Sequence, residues 1–271
     1  MHPVFLKLGS VTIYWYGVFM ALAFLAGLVN WTTLARREGR DPQFCSDLLF
    51  WVMLAGLAGG RLAYVLSNAA HYAANPLHVL FLWEGGLIYY GGFVGGILAV
   101  LAFARRRHIP MLALLDFAIT ALPLAHALGR VGCFMNGCCF GSRLDHWPAV
   151  SFPAGSPPWD RHIDLGWITN ASRCSLPIHP VQLYETGLNL ALYVLLLAVY
   201  RRPHRHGMVT ATYFLVYPPG RFLLEFLRGT ERLHVGALSA AQTLSVALIA
   251  LGGVVLLLAR RQPITVENSK S

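Results

Sequence analysis

Hydrophobic positions in this chain fall into long blocks, without sustained two-residue alternation or a heptad period. Seven blocks approach the ~20 apolar residues that a helix needs to cross a hydrocarbon core. They run Tyr14–Leu34, Leu48–Leu66, Leu87–Ala104, Met111–Leu128, Val181–Tyr200, Met208–Leu227 and Leu238–Ala259. The second, fourth and sixth contain charges and stand out least on hydropathy. No internal repeat and no low-complexity segment interrupts the series. The pattern predicts an all-α polytopic membrane protein, with residues 1–271 forming one transmembrane domain.

Composition supports this reading. Apolar residues make up 56% of the 271 residues and charged residues 12%, about half the charged share of a soluble domain. So few charges cannot cover a water-facing surface, and the apolar fraction is too high for a disordered chain. The net charge of +9 does not indicate nucleic acid, because the basic residues sit in short clusters between apolar blocks. Such clusters encode topology. Twelve Lys and Arg follow the odd-numbered spans: Arg36, Arg37, Arg40, Arg105, Arg106, Arg107, Arg201, Arg202, Arg205, Arg260, Arg261 and Lys270. Five lie on the other side: Lys7, Arg143, Arg161, Arg173 and Arg232. The asymmetry predicts an outside N-terminus and a cytoplasmic C-terminus. The first block lacks a basic leader and is followed by Arg36–Arg37, so it reads as a retained helix. Residues 262–271 read as a loose cytoplasmic tail.

Two segments depart from the pattern. Residues 138–178 are rich in Pro, Gly, Ser, Trp and Asp and predict a small insertion outside the membrane. Gly85, Gly86, Gly91, Gly92, Gly95 and Gly96 allow either close helix packing or a chain that breaks and re-enters.

Ionised groups at membrane depth are costly, and they pair, line a wet cavity or do chemistry. The set here is Arg61, Glu84, Asp116, Arg130, Glu185, Arg221, Glu225 and Arg228. Structural ion pairs are one reading, and Glu225 and Arg228 share a helix face. Arg130 and Arg221 read differently. Arg130 is flanked by glycines in Gly129-Arg130-Val131-Gly132, and Arg221 follows Tyr217-Pro218-Pro219-Gly220. The prolines predict a broken sixth helix. Two Arg at such breaks suit a bidentate grip on one phosphate, which points to a phospholipid headgroup. Tyr16, Tyr89, Tyr90, Tyr184 and Tyr217 read equally as interface anchors, and His179 as a cap.

The cysteines are Cys45, Cys133, Cys138, Cys139 and Cys174. On the outer side, a bridge from Cys174 to Cys138 or Cys139 would staple the insertion. A catalytic thiol is another reading. Zinc held by Cys133, Cys138, Cys139 and a His is a third, although the spacing is not a familiar ligand pattern. No metal or cofactor is expected.

Taken in order, these residues resemble the prolipoprotein diacylglyceryl transferase family of bacterial inner membranes. The carriers are Trp15-Tyr16-Gly17, Gly59-Gly60-Arg61-Leu62-Ala63-Tyr64, Trp83-Glu84-Gly85-Gly86 with Gly91-Gly92, and the run Gly129 to Gly137. His179-Pro180-Val181-Gln182-Leu183-Tyr184-Glu185 and Tyr217…Arg221…Glu225-Phe226-Leu227-Arg228 complete the set. The resemblance implies transfer of the diacylglyceryl group of phosphatidylglycerol to the lipobox cysteine of a preprolipoprotein signal peptide, with glycerol 1-phosphate released. It implies a phosphate site at Arg130 and Arg221, and a headgroup pocket from Tyr16, Arg61, Asn136, Gln182, Tyr184, Glu185, Tyr217 and Glu225. Gly91 would face the reacting carbon on a loop. Tyr90 stands where many relatives have a His, a candidate base. A Tyr with a pKa near ~10 is a poor base at neutral pH. Cys133 and Cys138 replace the usual Asn and Glu. A transporter or scramblase, and a divergent paralogue that binds lipid without transfer, are the rival readings. The absence of pseudo-symmetric halves counts against the first rival.

Overall fold

A computed structural model describes residues 3–9, 11–82, 85–230, 234–262 and 264. Glu84, Arg232, the side chain of Tyr89 and tail residues 265–271 lie outside the described residues. The chain forms two compact units: residues 1–30 with 119–271, and residues 31–118.

The first unit opens with an antiparallel hairpin, β1 (Val4–Leu8) and β2 (Val11–Tyr14), leading into α1 (Trp15–Arg37). Helix α6 (Leu122–Asn136) packs on α8 (Val181–Tyr200), α8 on α9 (Met208–Glu225), and α9 on α10 (Ala240–Ala259). A second hairpin, β3 (His234–Val235) with β4 (Leu238–Ser239), precedes α10. Ser239 caps α10 in a reciprocal box with Gln242, satisfying donors that a helix start leaves open. Leu192, Leu196, Val209, Tyr213 and Tyr217 form a buried cluster between α8 and α9. The expected insertion is an ordered lobe. Helix α7 (Pro157–Asp164) lies within it, and the isolated bridges Arg143↔Ile178, Val150↔Ile178 and Pro153↔Cys174 tie its extended segments. Phe140, Phe152 and Ile178 fill its core.

The second unit contains α2 (Gln43–Ser67), α3 (Ala69–Ala74), a 3-10 turn at Pro76–Leu80, α4 (Tyr89–Arg106) and most of α5 (Met111–Ile119). Helices α2 and α4 meet through glycines. A Cβ at Gly59 would strike the Gly91 carbonyl oxygen, and one at Gly95 the Ala55 carbonyl oxygen. Of the two readings of the glycine run, close packing is the one observed for its second half, as expected of small residues between apolar helices.

Five helical stretches are long and apolar enough to cross a membrane: 15–37, 43–67, 111–136, 181–200 and 240–259. Helices α4 and α9 occupy the other two expected spans, with 18 residues each. Both carry charges, and in α9 these are Arg221 and Glu225. Two expectations are corrected. Helix α9 is continuous through Pro218 and Pro219. The missing N–H groups strip the Phe214 and Leu215 carbonyls of helical donors, but packing on α8 and α10 holds the helical path. Helix α6 likewise runs unbroken through Gly129–Gly132 to Asn136, past the expected end at Leu128.

Candidate active site

Helices α6, α8 and α9 each send charged side chains to one buried point. Glu185, on the first turns of α8, is 2% exposed in its side chain, against 16% for Arg130 and 12% for Arg221. One carboxylate oxygen, Glu185 Oε1, collects the whole cluster. Arg130 Nη2 lies 3.1 Å away and Arg221 Nε 3.9 Å away. The Tyr217 hydroxyl donates to the same oxygen at 3.1 Å. The two guanidiniums expected to share a phosphate therefore converge on a single anionic oxygen.

Glu225 closes the far side. Its Oε2 is 2.8 Å from Arg221 Nη1 and 3.8 Å from Arg228 Nε. The closer pair is misaligned for a hydrogen bond, so Arg221 Nη1 retains an unmatched donor. Among the described residues, three guanidiniums and two carboxylates meet here.

His126, absent from the sequence-based set, belongs to this site. It lies one turn before Arg130 on α6, and Arg130 Nε donates to its Nε2 at 3.2 Å. That nitrogen therefore carries a lone pair. Its 3.4 Å approach to Glu185 Oε1 is a contact of two acceptors, not an ion pair. The i, i+4 spacing of His126 and Arg130 is the signal that could have found it.

The remaining candidates divide. Gln182 is buried, donates to the Cys138 carbonyl at 2.8 Å, and leaves its own Oε1 without a partner. Tyr16 and Asn136 line a groove with Thr12, Ile13, Tyr14 and Gly17. Gly132 lets α1 come close, its would-be Cβ lying 3.1 Å from Phe19 Cβ. Tyr184 stands apart from the cluster, its hydroxyl 3.4 Å from His179 Nδ1.

Arg61, Tyr90 and Gly91 lie in the second unit. Arg61 is buried and, among the described residues, donates only to main-chain carbonyls, those of Val79 at 2.8 Å, Phe81 at 3.2 Å, Gly86 at 3.3 Å, and His78 and Gly85 at 2.5 Å. All three of its nitrogens are engaged, so it holds the loop around 78–86 and presents no donor to a headgroup. Gly91 is in the first turn of α4, not on a loop, and its backbone meets Gly59 of α2. Tyr90 is exposed at the start of the same helix.

The cysteines do not staple the insertion. Cys174 is exposed and unbridged, while Cys133, Cys138 and Cys139 gather at the end of α6, with their sulfurs within 4.8 Å of one another. The trio named in the zinc reading is brought together by two left-handed residues, Gly137 (φ 74°) and Cys139 (φ 58°), which turn the chain back on the helix end.

Comparison with known proteins identifies the family. The family model described as prolipoprotein diacylglyceryl transferase matches residues 3–258. A phosphatidylglycerol–prolipoprotein diacylglyceryl transferase of Bordetella avium is 37% identical over 271 residues, covering 96% of this chain and 95% of the relative. Its counterpart in Synechococcus elongatus is 35% identical over 256 residues, covering 92% and 84%. That of Pseudomonas entomophila is 35% identical over 269 residues, covering 95% and 93%.

Proposed function

Because this chain belongs to the prolipoprotein diacylglyceryl transferase family, we propose that it moves the diacylglyceryl group of phosphatidylglycerol onto a prolipoprotein cysteine. The acceptor is the lipobox cysteine of a signal peptide in a bacterial inner membrane. The chain crosses that membrane seven times, with its N-terminus and the 138–178 lobe outside and its C-terminus in the cytoplasm. The convergence of Arg130 and Arg221 on one oxygen of Glu185 carries the reading. A headgroup phosphate takes the place of that carboxylate oxygen between the guanidiniums.

The chemistry follows from charge. The acceptor sulfur attacks the glycerol carbon that bears the phosphate, an S–C bond forms, and the C–O bond breaks with its electron pair on the phosphate oxygen. The departing glycerol 1-phosphate gains negative charge as it leaves. Guanidiniums already aimed at that charge stabilise the transition state more than the ground state. The unmatched Arg221 Nη1 and Gln182 Oε1 suit a phosphate oxygen and a glycerol hydroxyl respectively. Tyr217 holds Glu185, and Glu225 holds Arg221. Tyr16 and Asn136 line the approach, and Tyr184 borders the first turn of α8. Arg61 and Gly91 act through the geometry of α2, α4 and the loop between them, and Tyr90 is the family's base position.

The test is a lipobox peptide incubated with purified protein and phosphatidylglycerol. The expected result is a mass gain of one diacylglyceryl unit, with glycerol phosphate released in equal amount. Rescue of a strain depleted of its own transferase is the cellular counterpart. An unmodified peptide and no rescue would favour the lipid-binding paralogue. Full transfer by Arg130→Ala would remove the phosphate assignment.

A further inference from the structure

We propose that Cys133, Cys138 and Cys139 bind one thiophilic divalent cation of the zinc class, whose fourth position takes the acceptor thiol. The inference rests on the transferase reading for the identity of the acceptor, not for the metal.

The three sulfurs come from one helix end. Cys133 lies in the last turn of α6, Gly137 ends the helix in a left-handed conformation, and Cys138 N–H returns to the Cys133 carbonyl at 3.1 Å. Cys139 then adopts φ 58°. A side chain other than Gly is disfavoured in this conformation, and such strain concentrates where geometry serves a function. Gln182 on α8 pins the turn through the Cys138 carbonyl. Thiolates on a tetrahedral ion with ~2.3 Å bonds stand about 3.8 Å apart. The observed sulfurs lie within 4.8 Å of one another, at most about 1 Å beyond that spacing. Among the described residues this is the one group of three such ligands that gathers this closely.

Three ligands and an open position distinguish a working metal site from a closed structural one. The surroundings fit that use. Tyr16 and Asn136 line a groove, and Asn136 is the last residue of the helix that carries Cys133. Three thiolates around a dication carry a net charge of −1, and Arg130 on that same helix carries a positive charge. Soft sulfur ligands select soft or borderline ions over magnesium or calcium.

The consequence concerns the proton. A thiol bound to such a cation is deprotonated outright. The acceptor S–H loses its proton to water as the S–metal bond forms, and the bound thiolate attacks the glycerol carbon. The C–O electron pair leaves on the phosphate held by Arg130 and Arg221, and the neutral thioether dissociates from the metal. No redox change occurs. This supplies an acceptor thiolate in a chain whose base position is occupied by Tyr90.

Cobalt is the probe. Full-length reduced protein in detergent is titrated with Co²⁺. The expected result is one cobalt per chain, with a thiolate-to-cobalt charge-transfer band that zinc abolishes by displacement. The band persists in a Cys45→Ser, Cys174→Ser variant and is lost in Cys139→Ser and in Cys138→Ser. Adding a lipobox peptide shifts the visible ligand-field bands, and the same peptide with Ser in place of Cys leaves them unchanged. Absence of the band in unmutated, reduced protein would overturn the metal site without reference to any variant's folding. A band insensitive to the Cys peptide would overturn the acceptor position. Peptide mass gain without a cobalt band would keep the transferase and remove the metal. A band with the peptide shift but no mass gain would keep the site and remove the transfer reading.

Discussion

At the scale of single residues, the account turns on how Arg130 is held. Its Nη2 faces Glu185 and its Nε donates to His126 Nε2 at 3.2 Å. In the proposed phosphate site His126 acts by positioning, and Arg130 is the group that would meet substrate. His126→Ala is expected to raise KM for phosphatidylglycerol about tenfold, the low end for loss of a group that orients a functional ligand. His126→Gln, whose amide oxygen accepts from the same N–H, is expected to recover most of that loss. Equal impairment in both variants would mean that His126 only fills space. In the sequence the only signal for this residue is its i, i+4 spacing to Arg130, because a lone His in an apolar run otherwise has no distinctive pattern. Arg130 and Arg221 were legible, because an Arg at membrane depth requires a counter-charge or a task. Arg61 met the same criterion for a different reason. Its task is to bind the carbonyls of residues 78–86, which hydropathy does not reveal.

At the scale of elements, helix existence was readable because lipid imposes length and apolarity together, and the observed helices cover all seven expected blocks. The two hairpins, α3 and α7 were not readable. They are short, and tertiary contacts specify them more than local periodicity does. The unbroken α9 shows the same override, because packing on both sides outweighs the two prolines. The α2–α4 contact depends on backbone proximity that only Gly allows. Gly95→Ala is expected to destabilise the protein by ~1–3 kcal/mol through overpacking against the Ala55 carbonyl. Gly253→Ala, which meets nothing within 4 Å, should be silent. Thermal unfolding in detergent checks both, and equal midpoints would contradict the packing argument. The 138–178 lobe carries a pH dependence. His162 is buried, its Nδ1 accepts from Leu176 N–H at 3.1 Å, and burial together with the charge of Arg143 lowers its pKa. The unfolded lobe then binds a proton more readily than the folded one. Stability is full above the free imidazole value of about 6.5 and falls as pH drops below it toward the lowered folded value. Hydrogen exchange in α7, corrected for intrinsic rates, should show less protection at about pH 5.5 than at about pH 7.5. Unchanged protection would contradict this.

At the scale of the whole molecule, the proposed orientation places the 138–178 lobe outside the cytoplasm, where a secreted signal peptide emerges. Cys174 is exposed and unbridged in that lobe, which provides a direct test of orientation. In intact spheroplasts a membrane-impermeant maleimide should label Cys174, while Ser269→Cys in a Cys174→Ser background should be labelled only after lysis. The reverse pattern would invert the topology inferred from the Arg clusters.

The central claim is that Arg130 and Arg221 hold one phosphate together, and a double-mutant cycle on transfer to a lipobox peptide tests it most directly. Arg130→Gln and Arg221→Gln should each lower kcat/KM by about 10²–10³. If both grip the same anion, the double variant should fall no more than about tenfold below the weaker single. Losses that multiply in full would mean that the two guanidiniums act on separate groups, contradicting the account.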